Sequence, residues 1–251
     1  HGSWMASTVF DGARVFEDTA PDLDRHCERL IASAHAMDLQ PVVTAQEIQT
    51  AQDFFDRLAQ RYSQIDDYTA EITMTTEEKE LRGTLYYKKP DMVRVDFSQP
   101  EDQVLVSDGD ALKVYIPDYN VVLQQSLSGA RSGQSGATLA TSEGLSLLRN
   151  NYSIAYQDSP SPVALEEGSD LMVTKLQLDW RSTTEGFRKL ILSVTDTFLI
   201  RRIVGTTANY EEIQFDFENI RLNQNLPEAR FDYEPPASAN MFPNFLFEQE
   251  S

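Results

Sequence analysis

Residues 68–75 read Tyr68-Thr69-Ala70-Glu71-Ile72-Thr73-Met74-Thr75. Apolar and polar side chains take alternate positions, a period of two that puts Tyr68, Ala70, Ile72 and Met74 on one face of an extended strand. The pattern recurs along the chain. Leu85 and Tyr87 alternate with Thr84 and Tyr86, and Val93, Val95 and Phe97 alternate with Arg94 and Asp96. Further on come Leu176, Leu178 and Trp180, then Leu190, Leu192 and Val194, then Ile213, Phe215 and Phe217. Such strands are dry on one face and wet on the other. Short turn signals separate them: Lys89-Pro90-Asp91, Ser107-Asp108-Gly109-Asp110, Pro117-Asp118-Tyr119-Asn120 and Thr184-Glu185-Gly186. The expectation is an α+β fold on a single, strongly curved antiparallel sheet, a half-open or incomplete β-barrel of about 10–11 strands.

Helical spacing appears before and within this run. Residues 21–38 place Leu23, Cys27, Leu30, Ile31, Ala34 and Met37 at near-helical intervals behind Pro21. Thr44-Ala45-Gln46-Glu47 fits a capping box, followed by one apolar face of Ile48, Ala51, Phe55, Leu58 and Tyr62. Residues 128–138 are small and Gly/Ser-rich, and Leu139, Glu143, Leu145, Leu147 and Leu148 behind them form a short helix ending near Asn150. A flexible stretch feeding an apolar helix amid strands reads either as a hinged lid, with Gly133 and Gly136 as the hinge, or as a fixed plug. Three regions follow: residues 1–7, which resemble a cloning remnant, an N-terminal helical extension over 8–43, and the sheet-bearing domain over 44–251.

The chain has 251 residues, 40 of them acidic and 21 Lys or Arg, for a formal charge of −19. No basic stripe exists to neutralise phosphates, so nucleic acid is excluded as a partner. Cys27 is the only cysteine, and His1, His26 and His35 are the only histidines. Beyond residue 35 there is neither imidazole nor thiol, so Ser-His-Asp and Cys-His catalysis and a His/Cys zinc site are excluded there. No cofactor or metal is expected. Asp66-Asp67, Glu77-Glu78 and Glu211-Glu212 read as solvated turn charges rather than catalytic pairs. The chain shows no signal peptide and no apolar run of about 18 residues that would span a bilayer.

A curved sheet with one apolar face must cover it. Helices over 45–62 and 139–149 cover part; the remainder is either a filled core or an apolar cavity. Period and composition leave both open.

The motifs add to this reading. Residues 81–97 run Leu-Arg-Gly-Thr-Leu-Tyr-Tyr-Lys-Lys-Pro-Asp-Met-Val-Arg-Val-Asp-Phe; then come Ser107-Asp108-Gly109, Tyr115-Ile116-Pro117 and finally Phe231-Asp232-Tyr233-Glu234-Pro235-Pro236. In this order they resemble the outer-membrane lipoprotein carrier family LolA over roughly residues 44–238. The resemblance implies an incomplete barrel whose helices form a lid over an apolar cavity for lipoprotein acyl chains. It also implies a periplasmic, monomeric, non-enzymatic carrier whose native signal peptide is missing from this sequence. Its partners would be acylated lipoproteins or lipids, an inner-membrane lipoprotein-releasing transporter and an outer-membrane acceptor. The alternatives are a periplasmic sensor on the same fold and, last, a carboxylate-based hydrolase.

Combining the resemblance with the strand faces assigns acyl contacts to Ile72, Met74, Leu85, Tyr87, Val93, Val95, Phe97, Leu176, Leu178, Trp180, Leu190, Leu192, Phe215 and Phe217. The lid set is Leu139, Leu145, Leu147 and Leu148. Lys89 stands where the family has a basic latch residue before Pro, commonly Arg; lysine lacks the planar fork of a multi-point latch. Val93 and Lys113 also depart from the aromatic residues usual at those places, which marks a remote member.

Overall fold

A computed structural model describes residues 23–39, 50–126, 139–182 and 186–243. The Thr44–Glu47 box, Ile48, the 128–138 stretch and the hinge glycines Gly133 and Gly136 lie outside the described residues. The helices are α1 (Leu23–Ala36), α2 (Ala51–Ser63) and α3 (Ser142–Asn151). The first six strands are β1 (Asp67–Thr75), β2 (Glu80–Lys88), β3 (Met92–Gln99), β4 (Glu101–Ser107), β5 (Ala111–Ile116) and β6 (Val121–Ser126). After α3 come β7 (Tyr152–Tyr156), β8 (Val163–Ala164), β9 (Met172–Trp180), β10 (Phe187–Val194), β11 (Ile200–Thr207), β12 (Glu212–Leu222) and β13 (Asn240–Pro243). The strands beyond the expected ten or eleven are short: β8 has two residues and β13 four.

The strands form one sheet in the order β13-β6-β5-β4-β3-β2-β1-β12-β11-β10-β9-β7, with β8 paired to β9 off this path. Two antiparallel meanders, β1–β6 and β9–β12, are joined at the β1–β12 pair, where Ile72 faces Phe217 and Met74 faces Phe215. Only β13 runs parallel, beside β6. The terminal strands β13 and β7 do not pair with each other, so the curve stays open. In this order β6 lies next to one edge strand and β7 is the other edge, and α3 directly precedes β7.

Period-two alternation settles on the predicted faces. Ala70, Ile72, Leu85, Val95, Leu178, Leu190 and Phe217 share one buried cluster with Phe55 and Leu58 of α2 and Leu145 and Leu148 of α3. The cap of α2 is Thr50: its Oγ1 accepts from Asp53 N at 3.1 Å, and Asp53 Oδ2 accepts from Thr50 N at 3.2 Å. This capping box opens the helix six residues after the predicted one, and it directs Ala51, Phe54, Phe55, Leu58 and Tyr62 onto the sheet. Between β2 and β3 the backbones approach so closely that a Cβ on Gly83 would lie 2.5 Å from the Asp96 carbonyl oxygen, which is why glycine stands there.

After β12 the chain turns back as a strap across the outer face. Asp67, at the start of β1, is only 4% exposed. Its Oδ1 accepts from Gln224 N at 2.6 Å and its Oδ2 from Leu226 N at 3.1 Å. The expectation of a solvated Asp66-Asp67 pair therefore fails at Asp67; period and composition could not see a carboxylate clamping backbone amides more than 150 residues away. Lys88 Nζ donates to Leu226 O at 2.8 Å, Arg94 Nη1 donates to Arg230 O at 2.9 Å, and Arg230 stacks on Tyr86. Phe231 is buried, as are Val106 and Val122 on the outward side of β4 and β6. The strap ends as β13, where Asn240 N donates to Asn120 O at 2.9 Å.

Candidate functional site

The predicted wall residues all lie on the face that carries α2 and α3, in or against one cluster. Leu85, Tyr87, Val95, Leu176, Leu178, Leu190 and Leu192 are 0% exposed, so no water-sized void touches them. Ile72, Val93, Phe97, Phe215 and Phe217 are also buried, while Met74 and Trp180 are half-buried at one end of the barrel. Each such side chain removed from water contributes about 1.5–3 kcal/mol. Around these seven side chains the face takes the filled form of the two open readings.

The helix that closes it is held by hydroxyls from the sheet. Tyr68 Oη donates to Ala140 O at 2.9 Å. Tyr87 Oη lies 3.2 Å from Pro90 O, from Ser142 Oγ and from Glu143 Oε2. Ser142 Oγ in turn donates to Glu143 Oε2 at 2.7 Å. Burial pushes both phenols well above their ordinary range, so they stay protonated donors. At the other end Arg149 Nη2 reaches Asp56 Oδ2 of α2 at 2.9 Å. Replacing Tyr87 with phenylalanine removes the hydroxyl and keeps the ring. A loss of about 0.5–1.5 kcal/mol is expected, read as roughly two- to tenfold faster amide exchange in α3. Unchanged exchange would mean that the hydroxyl does not hold the helix.

Two lid assignments need correction. Leu139, Leu145 and Leu148 are buried, but Leu147 is half-exposed and outside the cluster. At 3.6 residues per turn, Leu145 and Leu148 share a face that Leu147 leaves by about 100°. Lys89 forms its ion pair with Asp66, between α2 and β1, rather than with α3. Among the described residues, Tyr87 meets the first turn of α3 and Tyr68 the backbone just before it, neutral phenols where the resemblance implied a cation.

Sequence reasoning missed the other half of the face. In register, Val95 of β3 faces Leu105, Leu105 faces Val114, Val114 faces Leu123, and Leu123 faces Phe242 of β13. Along this row exposure rises from 0% at Val95, through partly buried Leu105, Val114 and Leu123, to 52% at Phe242. Ile116 and Val121 form a second partly buried pair beside it. The strands involved read Val104-Leu105-Val106, Val114-Tyr115-Ile116 and Val121-Val122-Leu123, apolar without alternation. Such runs signal strands shielded on both faces, the cue that was available. Here the strap shields the outer one.

Among the described residues, no group of His, Cys, Asp and Glu is arranged to hold a metal ion, and no helix is long and apolar enough to cross a membrane. Glu77, Glu78, Glu211 and Glu212 are exposed. The site is thus an apolar sheet face, fully buried beneath the helices and only partly buried toward the β13 edge, where Phe242 is exposed.

A lidded, incomplete β-barrel of this kind is defined by its single covered apolar face. The chain belongs to the LolA family: the family model described as outer membrane lipoprotein carrier protein LolA matches residues 55–234. It is similar to the outer-membrane lipoprotein carrier protein of Azotobacter vinelandii, at 26% identity over 220 residues, covering 84% of this chain and 96% of that protein. The protein of the same name from Albidiferax ferrireducens is 22% identical over 186 residues, covering 72% of this chain and 81% of its own. The fold is also that of an uncharacterized conserved protein from Thermus thermophilus. The TM-score is 0.51 at 17% identity, covering 78% of this chain and 99% of the other.

Proposed function

We propose that this chain is a periplasmic carrier that takes the acyl chains of lipoproteins onto its apolar face and ferries them from the inner to the outer membrane, with no covalent chemistry. The observation that carries the reading is the continuity of that face, from the sealed cluster around Leu85 and Val95 out to exposed Phe242. Each methylene withdrawn from water contributes about 0.8 kcal/mol, so several long chains bind strongly once the helices yield space. Family membership and the names of the relatives support the same cargo. The chain works as a monomer between an inner-membrane releasing transporter and an outer-membrane acceptor, and its formal charge of −19 disfavours lingering on anionic membranes.

Native mass spectrometry of the protein, with displacement of a fluorescent fatty acid by a synthetic tripalmitoylated lipopeptide, tests this. A lipid-sized adduct and saturable displacement are expected. No adduct and no displacement would overturn the reading.

A further inference from the structure

The β11–β12 ladder stops before β12 does. Its last pair is Arg202 with Asp216, whereas β12 runs on from Phe217 to Leu222 paired with β1 alone. Each strand is bulged at this level. Arg201 is the extra residue between the pairs Ser193–Arg202 and Val194–Ile200. On β12 the register with β1 shifts between Glu71–Glu218 and Thr69–Arg221, which leaves Asn219 and Ile220 opposite the single Ala70, with Asn219 at a φ of 50°. Bulges end pairing and re-aim side chains, and they gather at barrel rims and binding sites.

Side chains take over where the ladder ends. The amide of Ile200 donates to Tyr62 Oη of α2 at 3.1 Å, and Arg201 Nη1 donates to the Phe217 carbonyl. A cleft of about 480 Å³ lies here, between the β10–β11 turn and β12. That volume falls among sites that take a ligand, about 300–1,000 Å³. Its lining is apolar at Leu199, Phe217 and Ile220 and hydrogen-bonding at Thr195, Thr197 and Asn219.

The charges beside the cleft are unbalanced. Glu71 of β1 and Glu218 of β12 stand directly opposite each other, and both are exposed. Like charges so placed repel. Arg201 pairs with Glu218, but among the described residues no cation pairs with Glu71. Arg221 lies past the bulge, opposite Thr69. Asp196, on the β10–β11 turn, adds a third exposed carboxylate. An unpaired stretch of strand, an apolar lining beside it and an unneutralised glutamate together suit an extended peptide. Main-chain hydrogen bonds hold such a ligand, and alternate side chains select it.

We propose that this cleft binds an extended, basic peptide segment of a partner protein, added along β12 from Phe217 to Leu222, with an aliphatic side chain against Leu199, Phe217 and Ile220 and a Lys or Arg beside Glu71. Phe217 and Ile220 belong to the inner apolar face and Glu71 to the exposed outer one, so the two recognised side chains occupy neighbouring positions of the peptide. The lining contains no residue of α3, and the inference stands apart from the carrier reading.

Selection of a phage library of random heptapeptides on the full-length protein tests this. Winners are expected to carry Lys or Arg next to Val, Ile or Leu, without proline between them. The best winner, synthesised with a fluorescent label, is expected to bind saturably and to slow amide exchange within residues 217–222. Thr197→Trp, at an exposed position on the cleft, and Glu71→Lys, on the outer face of β1, are each expected to weaken it by roughly tenfold or more. Thermal unfolding and fatty-acid displacement are expected to stay as in the parent, which separates loss of this site from loss of the acyl face. If one variant fails to fold, the other decides. A library without winners, acidic or proline-rich winners, protection that maps away from β12, or parental affinity in a folded variant would overturn the site.

Discussion

Asp67→Ala is expected to lower unfolding stability by about 2–5 kcal/mol, an effect larger than most surface substitutions produce. The carboxylate is 4% exposed and accepts from two backbone amides, Gln224 N and Leu226 N. Alanine would take the charged acceptor from both amides, at about 1.5–3 kcal/mol for each hydrogen bond to a charged group, lessened where water reaches exposed Gln224. Because those amides begin the strap, the loss should also surface locally, as faster proteolysis between residues 223 and 238. Asp67→Asn keeps one acceptor oxygen and should fall roughly midway. Urea titration of the three proteins measures this; an alanine variant within about 0.5 kcal/mol of the parent would show that the clamp carries nothing.

The second large effect is at the lid. Leu145 is 0% exposed at the face of α3 that meets the sheet. Leu145→Ala should weaken docking of the helix by about 2–5 kcal/mol. Hydrogen exchange would then read at least about thirtyfold faster opening in α3, with amides in β10 and β11 little changed. Binding should move the other way. A ligand that needs the open form binds with an affinity reduced by the fraction of molecules that are open, so raising that fraction tightens apparent acyl binding. Weaker binding together with unaltered α3 exchange would mean that this helix is a fixed plug.

Legibility in the sequence followed the physics of each signal. The inward residues of β1–β3 and β9–β12 could be read because one face of those strands is wet, so Glu71 or Gln177 interrupts the apolar series at every second place. Where the strap dries the outer face as well, at Val106 and Val122, the interruption vanishes, and with it the clue to the inward row of Leu105, Val114 and Leu123. The lid helix was legible from Leu145 and Leu148, but its fastening was not: Tyr68 and Tyr87 look like any core aromatics until their hydroxyls are seen beside Ala140 and Glu143. The resemblance placed the latch on Lys89, a charge-bearing position, and the structure gives that cation to Asp66. Family motifs carry position well, while the partner of a long, flexible side chain depends on tertiary surroundings.

The β1–β12 seam has a consequence for how the molecule is made. Tyr68 pairs with Leu222, and the edge of β1 has no other neighbour on that side. During synthesis the whole β1–β6 meander emerges first, with that edge open and its apolar face without α3 until residue 151 has followed. Closing a loop of roughly 150 residues is entropically slow, and topologies dominated by such distant pairings fold late. A nascent chain of this protein therefore carries an unpaired β1 edge from the completion of β6 at Ser126 until β12 ends at Leu222.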